Sequence, residues 1–147
     1  MKYAYKFEHK RLMEVNKETG EKIYNTKLLG FFQSEEECKQ LILEYLKQPG
    51  FIDCPNDFIV EKVEADVNEF NDIPGEFESS VFYLAHEWYD GEFDYVTDLG
   101  YYSTEELAKK AQIRYQLDTN FIEHPEGFCI SKYIIGECEW KEGFIYD

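Results

Sequence analysis

The sequence predicts an α+β fold: a tandem duplication of a ββαβ unit forming one pseudo-twofold domain, with two helices packed on β-sheet. Three observations carry this expectation. Residues 29–66 align with residues 99–136 without a gap, at an offset of 70 and with eleven identities in thirty-eight positions; a fixed internal period marks a copied structural unit. Within each copy the apolar pattern changes from a period of two to helical spacing and back. The chain has 147 residues, 44% hydrophobic and 18% aromatic, enough to bury a core, whereas one copy of roughly 65 residues would bury little alone.

The first copy opens with a β-hairpin. Residues 3–13 and 22–32 are rich in aromatic and branched side chains, and they flank the turn cluster Asn16-Lys17-Glu18-Thr19-Gly20-Glu21. In the second copy residues 81–89 and 93–102 flank Asp90-Gly91, a tighter hairpin signal. Phe82, Leu84, His86 and Trp88 alternate with Tyr83, Ala85 and Glu87 as strand residues do. His9 and His86 pair at an offset of 77, so the first hairpin is seven residues longer.

A helix follows each hairpin. Ser34-Glu35-Glu36-Glu37 reads as a capping box, with acids at the positive end of the helix dipole. Ser103-Thr104-Glu105-Glu106 does the same one residue out of phase. Cys38, Leu41, Ile42, Tyr45 and Leu46 form an apolar stripe, with Ala108, Ala111 and Tyr115 as its weaker counterpart. Pro49-Gly50 stops the first helix, and Asn120, at the Gly50 position, is expected as a left-handed cap. A Pro-containing turn then leads to a last strand at about 57–66 and 127–136. The domain expectation is a first repeat at 1–66, an acidic linker at 67–80 holding Pro74-Gly75, and a second repeat at 81–147.

The second copy carries a pattern beyond its periodicity. It runs Val81-Phe82-Tyr83-Leu84-Ala85-His86, then Leu99-Gly100-Tyr101-Tyr102-Ser103, Phe121, Pro125-Glu126-Gly127-Phe128-Cys129-Ile130 and Trp140-Lys141-Glu142-Gly143-Phe144. This resembles a family of small bacterial ββαβ domains of unknown function. Their pattern is strand-His, Gly-aromatic-x-Ser, Pro-x-Gly-Phe-x-Ile and a closing Trp-x-x-Gly-Phe. The match covers most of 81–144 and, more faintly, 3–74, where Asp57 stands for the Gly and Phe70 for the Trp. The resemblance implies the fold unit and a bacterial, cytoplasmic setting, with immunity-type or regulatory partners, and supplies no chemistry.

Charge narrows the function classes. Fifteen basic and thirty-one acidic residues give a net charge of -16, which disfavours a nucleic-acid backbone or an anionic membrane as partner. The field is uneven. No Lys or Arg lies between Lys62 and Lys109, a stretch with thirteen acids. Glu76, Glu78, Glu87, Asp90, Glu92, Asp94 and Asp98 are therefore the expected partner-binding residues, a row of carboxylates for a basic protein. Glu76/Glu78 and Asp90/Glu92/Asp94 are spaced two apart, which puts each set on one side of an extended chain.

The expected function is a non-enzymatic cytoplasmic module that binds a basic protein, of the immunity, inhibitor or nucleic-acid-mimic type, as monomer or homodimer. The alternative is a small enzyme or ligand sensor around the equivalent His9 and His86, whose imidazoles would serve acid–base or ligand chemistry. No catalytic residue, cofactor or metal is assigned. Nucleophile elbows, P-loops and Gly-rich dinucleotide motifs are absent from the sequence. Cys38, Cys54, Cys129 and Cys138 form no C-x-x-C pair and are expected as reduced thiols, most of them in the interior. Zinc is disfavoured because closely spaced ligand pairs are missing, and calcium because no complete acidic loop is present.

Overall fold

The computed structural model describes residues 1–144; the last three residues of the expected second repeat lie outside them. The chain is α+β with duplicated units: two three-stranded antiparallel sheets and two helices. Strands β1 (Tyr3–Val15) and β2 (Lys22–Phe32) precede helix α1 (Glu35–Tyr45) and strand β3 (Phe58–Glu64). Strands β4 (Ser80–Tyr89) and β5 (Asp94–Tyr102) precede helix α2 (Glu105–Tyr115) and strand β6 (Phe128–Ile134). The sheet orders are β2-β1-β3 and β5-β4-β6, so the first strand of each copy is central.

The repeated Leu-Gly has a geometric cause. Phe7 pairs with Gly30 and Glu8 with Leu28, leaving Leu29 as an extra residue in β2. Leu84 pairs with Gly100 and Ala85 with Asp98, leaving Leu99 extra in β5. Each hairpin thus carries a bulge at the same place, which bends the strand. Leu29 and Leu99 are buried. Gly30 and Gly100 take φ of 145° and 126°, a backbone that side chains resist.

Helix capping follows the repeat more closely than expected. Ser34 Oγ accepts the Glu37 N–H at 3.2 Å, and Thr104 Oγ1 accepts the Leu107 N–H at 3.1 Å. Thr104 is the residue equivalent to Ser34, so the two caps are in phase. Ser103 is engaged elsewhere: its N–H and Oγ both donate to the Asp66 carboxylate at 2.8 Å. Asn120 is not among the residues with a positive φ, so it is no left-handed cap. That backbone falls instead on Asp66 (φ 67°), whose counterpart is Gly136 (φ 97°).

Two hydrophobic clusters match position by position. Phe7, Leu29, Phe32, Cys38, Tyr45 and Phe51 form one. Leu84, Leu99, Tyr102, Ala108, Tyr115 and Phe121 hold the corresponding positions in the other, joined by Ala111. Where the first core has Cys38 and Leu41 on its helix, the second has Ala108 and Ala111, so α2 contributes less apolar bulk. Cys38 is the one cysteine that is buried; Cys54 and Cys138 are half-buried and Cys129 is exposed, contrary to the expected interior majority. Burial pushes the Cys38 thiol up to about 12, which keeps it protonated and inert.

The compact units do not end where the repeats end. The first unit joins Tyr5–Lys62 to the chain from Gly136 onward, and the second joins Met1–Ala4 to Val63–Ile135. Each takes its closing segment from beyond the other copy's last strand. In the first unit the Gly136 N–H donates to Phe31 O at 2.8 Å, and the Tyr45 hydroxyl donates to Glu139 O at 2.6 Å. In the second unit the Asp66 N–H donates to Tyr101 O at 2.8 Å, and the Tyr115 hydroxyl meets the Glu69 backbone. Asp66/Gly136, Tyr101/Phe31 and Glu69/Glu139 are equivalent pairs. The stretch expected as a linker is therefore packed in part: Phe70 lies 5.0 Å from the Tyr115 ring, and Phe77 is 1% exposed.

Tyr102 makes this packing sensitive to alkali. Burial pushes its hydroxyl up to about 12 from the ordinary tyrosine value of 10.0, against the hydrogen bond from Asn68 that lowers it. An unfolded tyrosine releases its proton first, so stability is full below pH 10 and falls as pH rises towards 12, by about 2 kcal/mol. Chemical denaturation at stepped pH, with tyrosinate absorbance read alongside, is expected to show that slope. Tyr102→Phe should reduce the slope without abolishing it, because burial also raises Tyr45 and Tyr115; an unchanged slope would assign the effect to those two.

Candidate functional site

All seven carboxylates singled out from the sequence are exposed: Glu76, Glu78, Glu87, Asp90, Glu92, Asp94 and Asp98. They do not form one strand row. Asp90 to Phe93 make a turn closed by the Asp90 N–H donating to Phe93 O at 3.2 Å, and only Asp94 opens a strand. Glu76 and Glu78 lie outside the strands, on either side of the buried Phe77.

Two of these acids are engaged locally. The Asp90 carboxylate accepts N–H groups from Phe93 at 2.7 Å and Glu92 at 2.8 Å, and the Tyr95 hydroxyl at 3.0 Å. Those donors, the Phe93 N–H first, hold its carboxyl below the usual carboxylate range. Asp90 thus shapes the turn. Asp98 accepts the hydroxyls of Tyr83 and Tyr101.

Aromatic side chains stand among the acids. Trp88 and Tyr95 face each other across β4 and β5, stacked at 4.5 Å and 16°. His124 stacks on Trp88 at 4.1 Å and 10°. Tyr89, Phe93, Tyr95 and Val96 are all exposed. Large rings held by neighbours and rimmed by charge have the make-up of a protein-interface centre. The alternation that marks Trp88 as a strand residue does not distinguish a half-buried stacked ring from a fully buried one.

The two equivalent histidines are buried, His9 at 0% and His86 at 1% exposure. His9 Nε2 donates to Cys54 O at 3.1 Å, and His86 Nε2 donates to His124 O at 2.7 Å. A carbonyl only accepts, so both imidazoles carry their proton on Nε2. His9 sits among Phe51 and Phe58, both at 5.0 Å, and Phe144 at 5.8 Å. His86 sits among Phe121 at 4.7 Å and Phe128 at 4.8 Å. Each ring cage comes from the histidine's own unit, and the shared hydrogen bond explains why both copies keep a histidine there.

Their surroundings then diverge. A ring nitrogen of His9, Cys54 Sγ and an Asp57 carboxylate oxygen all lie within 4.8 Å of one another. The same positions beside His86 hold His124 and Gly127. His9 Nδ1 is buried and is the one such side-chain atom without a hydrogen-bond partner among the described residues. Desolvation lowers the His9 pKa from 6.5, against the Cys54 carbonyl and the Asp57 charge. Lys27 faces His9 in the β1–β2 register and is 8% exposed. Its ammonium donates to Asn25 Oδ1 at 2.6 Å and lies 3.9 Å from the centre of the Phe144 ring. Burial lowers its pKa.

Cys54, Asp57 and Lys27 were not singled out from the sequence. The repeat alignment held the signal: two ligand-type residues, three apart, stand in the first copy where the second has His124 and Gly127. No family model, curated protein or solved structure matches the chain. Among the described residues, no helix is long and apolar enough to cross a membrane.

Proposed function

We propose that the chain is a non-enzymatic binding module that takes a basic protein on its β4–β5 hairpin, in the cytoplasm. The observation that carries this is the composition of that hairpin's surface. Glu87, Glu92 and Asp94 are exposed beside the exposed rings of Tyr89, Phe93 and Tyr95. The sequence places no Lys or Arg anywhere from residue 63 to residue 108. Carboxylates of one sign steer a cationic partner and raise its association rate, while rings in the middle of the patch supply contact area. An immunity protein, an inhibitor of a basic enzyme or a nucleic-acid mimic has this surface chemistry.

The test follows from the division of labour among the acids. Asp90 holds the turn, so reversing it would confound folding with binding. Glu87→Lys, Glu92→Lys and Asp94→Lys leave the turn donors in place. Proteins captured by the native chain from lysate at low salt are expected to be lost from this triple variant, with capture falling tenfold or more. Capture by the native chain should also weaken steeply between low and high salt. Equal capture by both chains, or capture indifferent to salt, would refute the proposal.

A further inference from the structure

We propose that His9, Cys54 and Asp57 form a binding site for a thiophilic divalent cation, with zinc as the fitting ion, and that this site belongs to the first repeat alone. One imidazole nitrogen, one sulfur and one carboxylate oxygen is a donor set that zinc accepts, with a fourth position left open. One ring nitrogen of His9, the Cys54 sulfur and an Asp57 carboxylate oxygen lie within 4.8 Å of one another. Zinc bonds of about 2.0–2.3 Å put tetrahedral ligands about 3.5 Å apart, so closure asks each side chain to move by about 1 Å.

The second, independent observation is the orphaned Nδ1. His9 is 0% exposed, yet this nitrogen has no hydrogen-bond partner. The Nε2 proton is committed to Cys54 O at 3.1 Å, which leaves the Nδ1 lone pair as the imidazole's ligand. A histidine whose other N–H is tied to a backbone carbonyl is the usual outer-shell arrangement around a bound metal. A buried lone pair without a donor is otherwise costly.

The internal duplicate sharpens the argument. His86 makes the same Nε2 hydrogen bond, at 2.7 Å, with no structural need for sulfur or carboxylate nearby. The histidine and its carbonyl therefore belong to the fold, and Cys54 and Asp57 are what the first copy adds. Both are half-buried, which leaves the ion a path from solvent. On binding, the Cys54 S–H proton passes to solvent and a sulfur–metal bond forms. Lys27 and Arg11 lie within electrostatic reach of His9. Their charge opposes the ion, so the site depends on both the sulfur and the carboxylate.

Cobalt(II) is the probe, titrated into the reduced full chain. The expected result is one equivalent bound, with a sulfur-to-cobalt charge-transfer band in the near ultraviolet that zinc abolishes. Cys54→Ser should lose the band, whereas Cys129→Ser, at the exposed thiol of the second repeat, should keep it. Asp57→Asn changes a half-buried side chain and should weaken cobalt at least tenfold. Absence of the band in the native chain, its persistence in Cys54→Ser, or unchanged affinity in Asp57→Asn would each overturn the site. If Cys54→Ser fails to fold, Asp57→Asn alone decides.

Discussion

Phe51→Ala is expected to destabilise the first unit by about 4 kcal/mol, the upper part of the range for removing a buried aromatic ring. Phe51 is 0% exposed, and its ring has four aromatic neighbours: His9 and Tyr45 at 5.0 Å, Phe144 at 4.9 Å and Phe58 at 5.9 Å. Its removal leaves a hole that these four rings fill poorly, because none can move without leaving its other partners. The reading is a urea midpoint followed by a probe of the first unit, and a loss below 1 kcal/mol would contradict the packing. Phe144 lies on the closing segment that follows β6. Phe144→Ala should therefore cost markedly less in the Phe51→Ala background than alone, because residues in contact are not additive. Full additivity would mean that the closing segment contributes nothing through this contact.

The same residues show what was legible in the sequence and what was not. Element types and their order could be read because they rest on local signals: aromatic and branched residues in β1, alternation in β4, the Ser34 cap, the Asp90-Gly91 turn. The matching cores could be read because duplication preserves apolar positions, such as Tyr45/Tyr115 and Phe51/Phe121. The exchange of closing segments could not. Glu139 reaching Tyr45 and Glu69 reaching Tyr115 are contacts between residues far apart in the chain, and an equal alignment results whether a segment closes its own copy or the other. Phe70 and Phe77 carried the only hint, as large apolar residues inside a stretch otherwise fit for a linker.

At the candidate sites the limit was similar. The charge bias could be counted from the sequence, but whether an acid faces a partner or its own turn depends on the backbone. Asp90 and Asp94 look alike as letters; one accepts two hydrogen bonds within its own turn and a third from Tyr95, and the other begins a strand. For the histidines, equivalence between copies pointed towards a site that both share. The informative feature was the reverse, the positions where the copies differ.

Gly127→Asp, which gives the second repeat the residue found in the first, is expected to cost about 3 kcal/mol, the upper part of the range for overpacking. A Cβ on Gly127 would lie 2.5 Å from Glu87 O and 2.7 Å from His86 Nε2. Neither can yield cheaply: one is backbone in β4, and the other is the nitrogen already bound to His124 O at 2.7 Å. The chain enters the last strand differently in the two copies, through a 3-10 turn at Pro125–Gly127 in the second and at Phe51–Asp53 in the first. That shift gives Asp57 room for a side chain, and its carbonyl accepts the Lys10 N–H at 2.8 Å. The reciprocal change, Asp57→Gly, should then cost about 1 kcal/mol or less in metal-free buffer, mostly through added freedom in the unfolded chain. Denaturant midpoints of the two variants, measured side by side, test whether the asymmetry is steric. Equal losses would mean that the glycine is incidental, and a large loss confined to Gly127→Asp would mean that the second repeat has no room for the carboxylate the first one keeps beside its histidine.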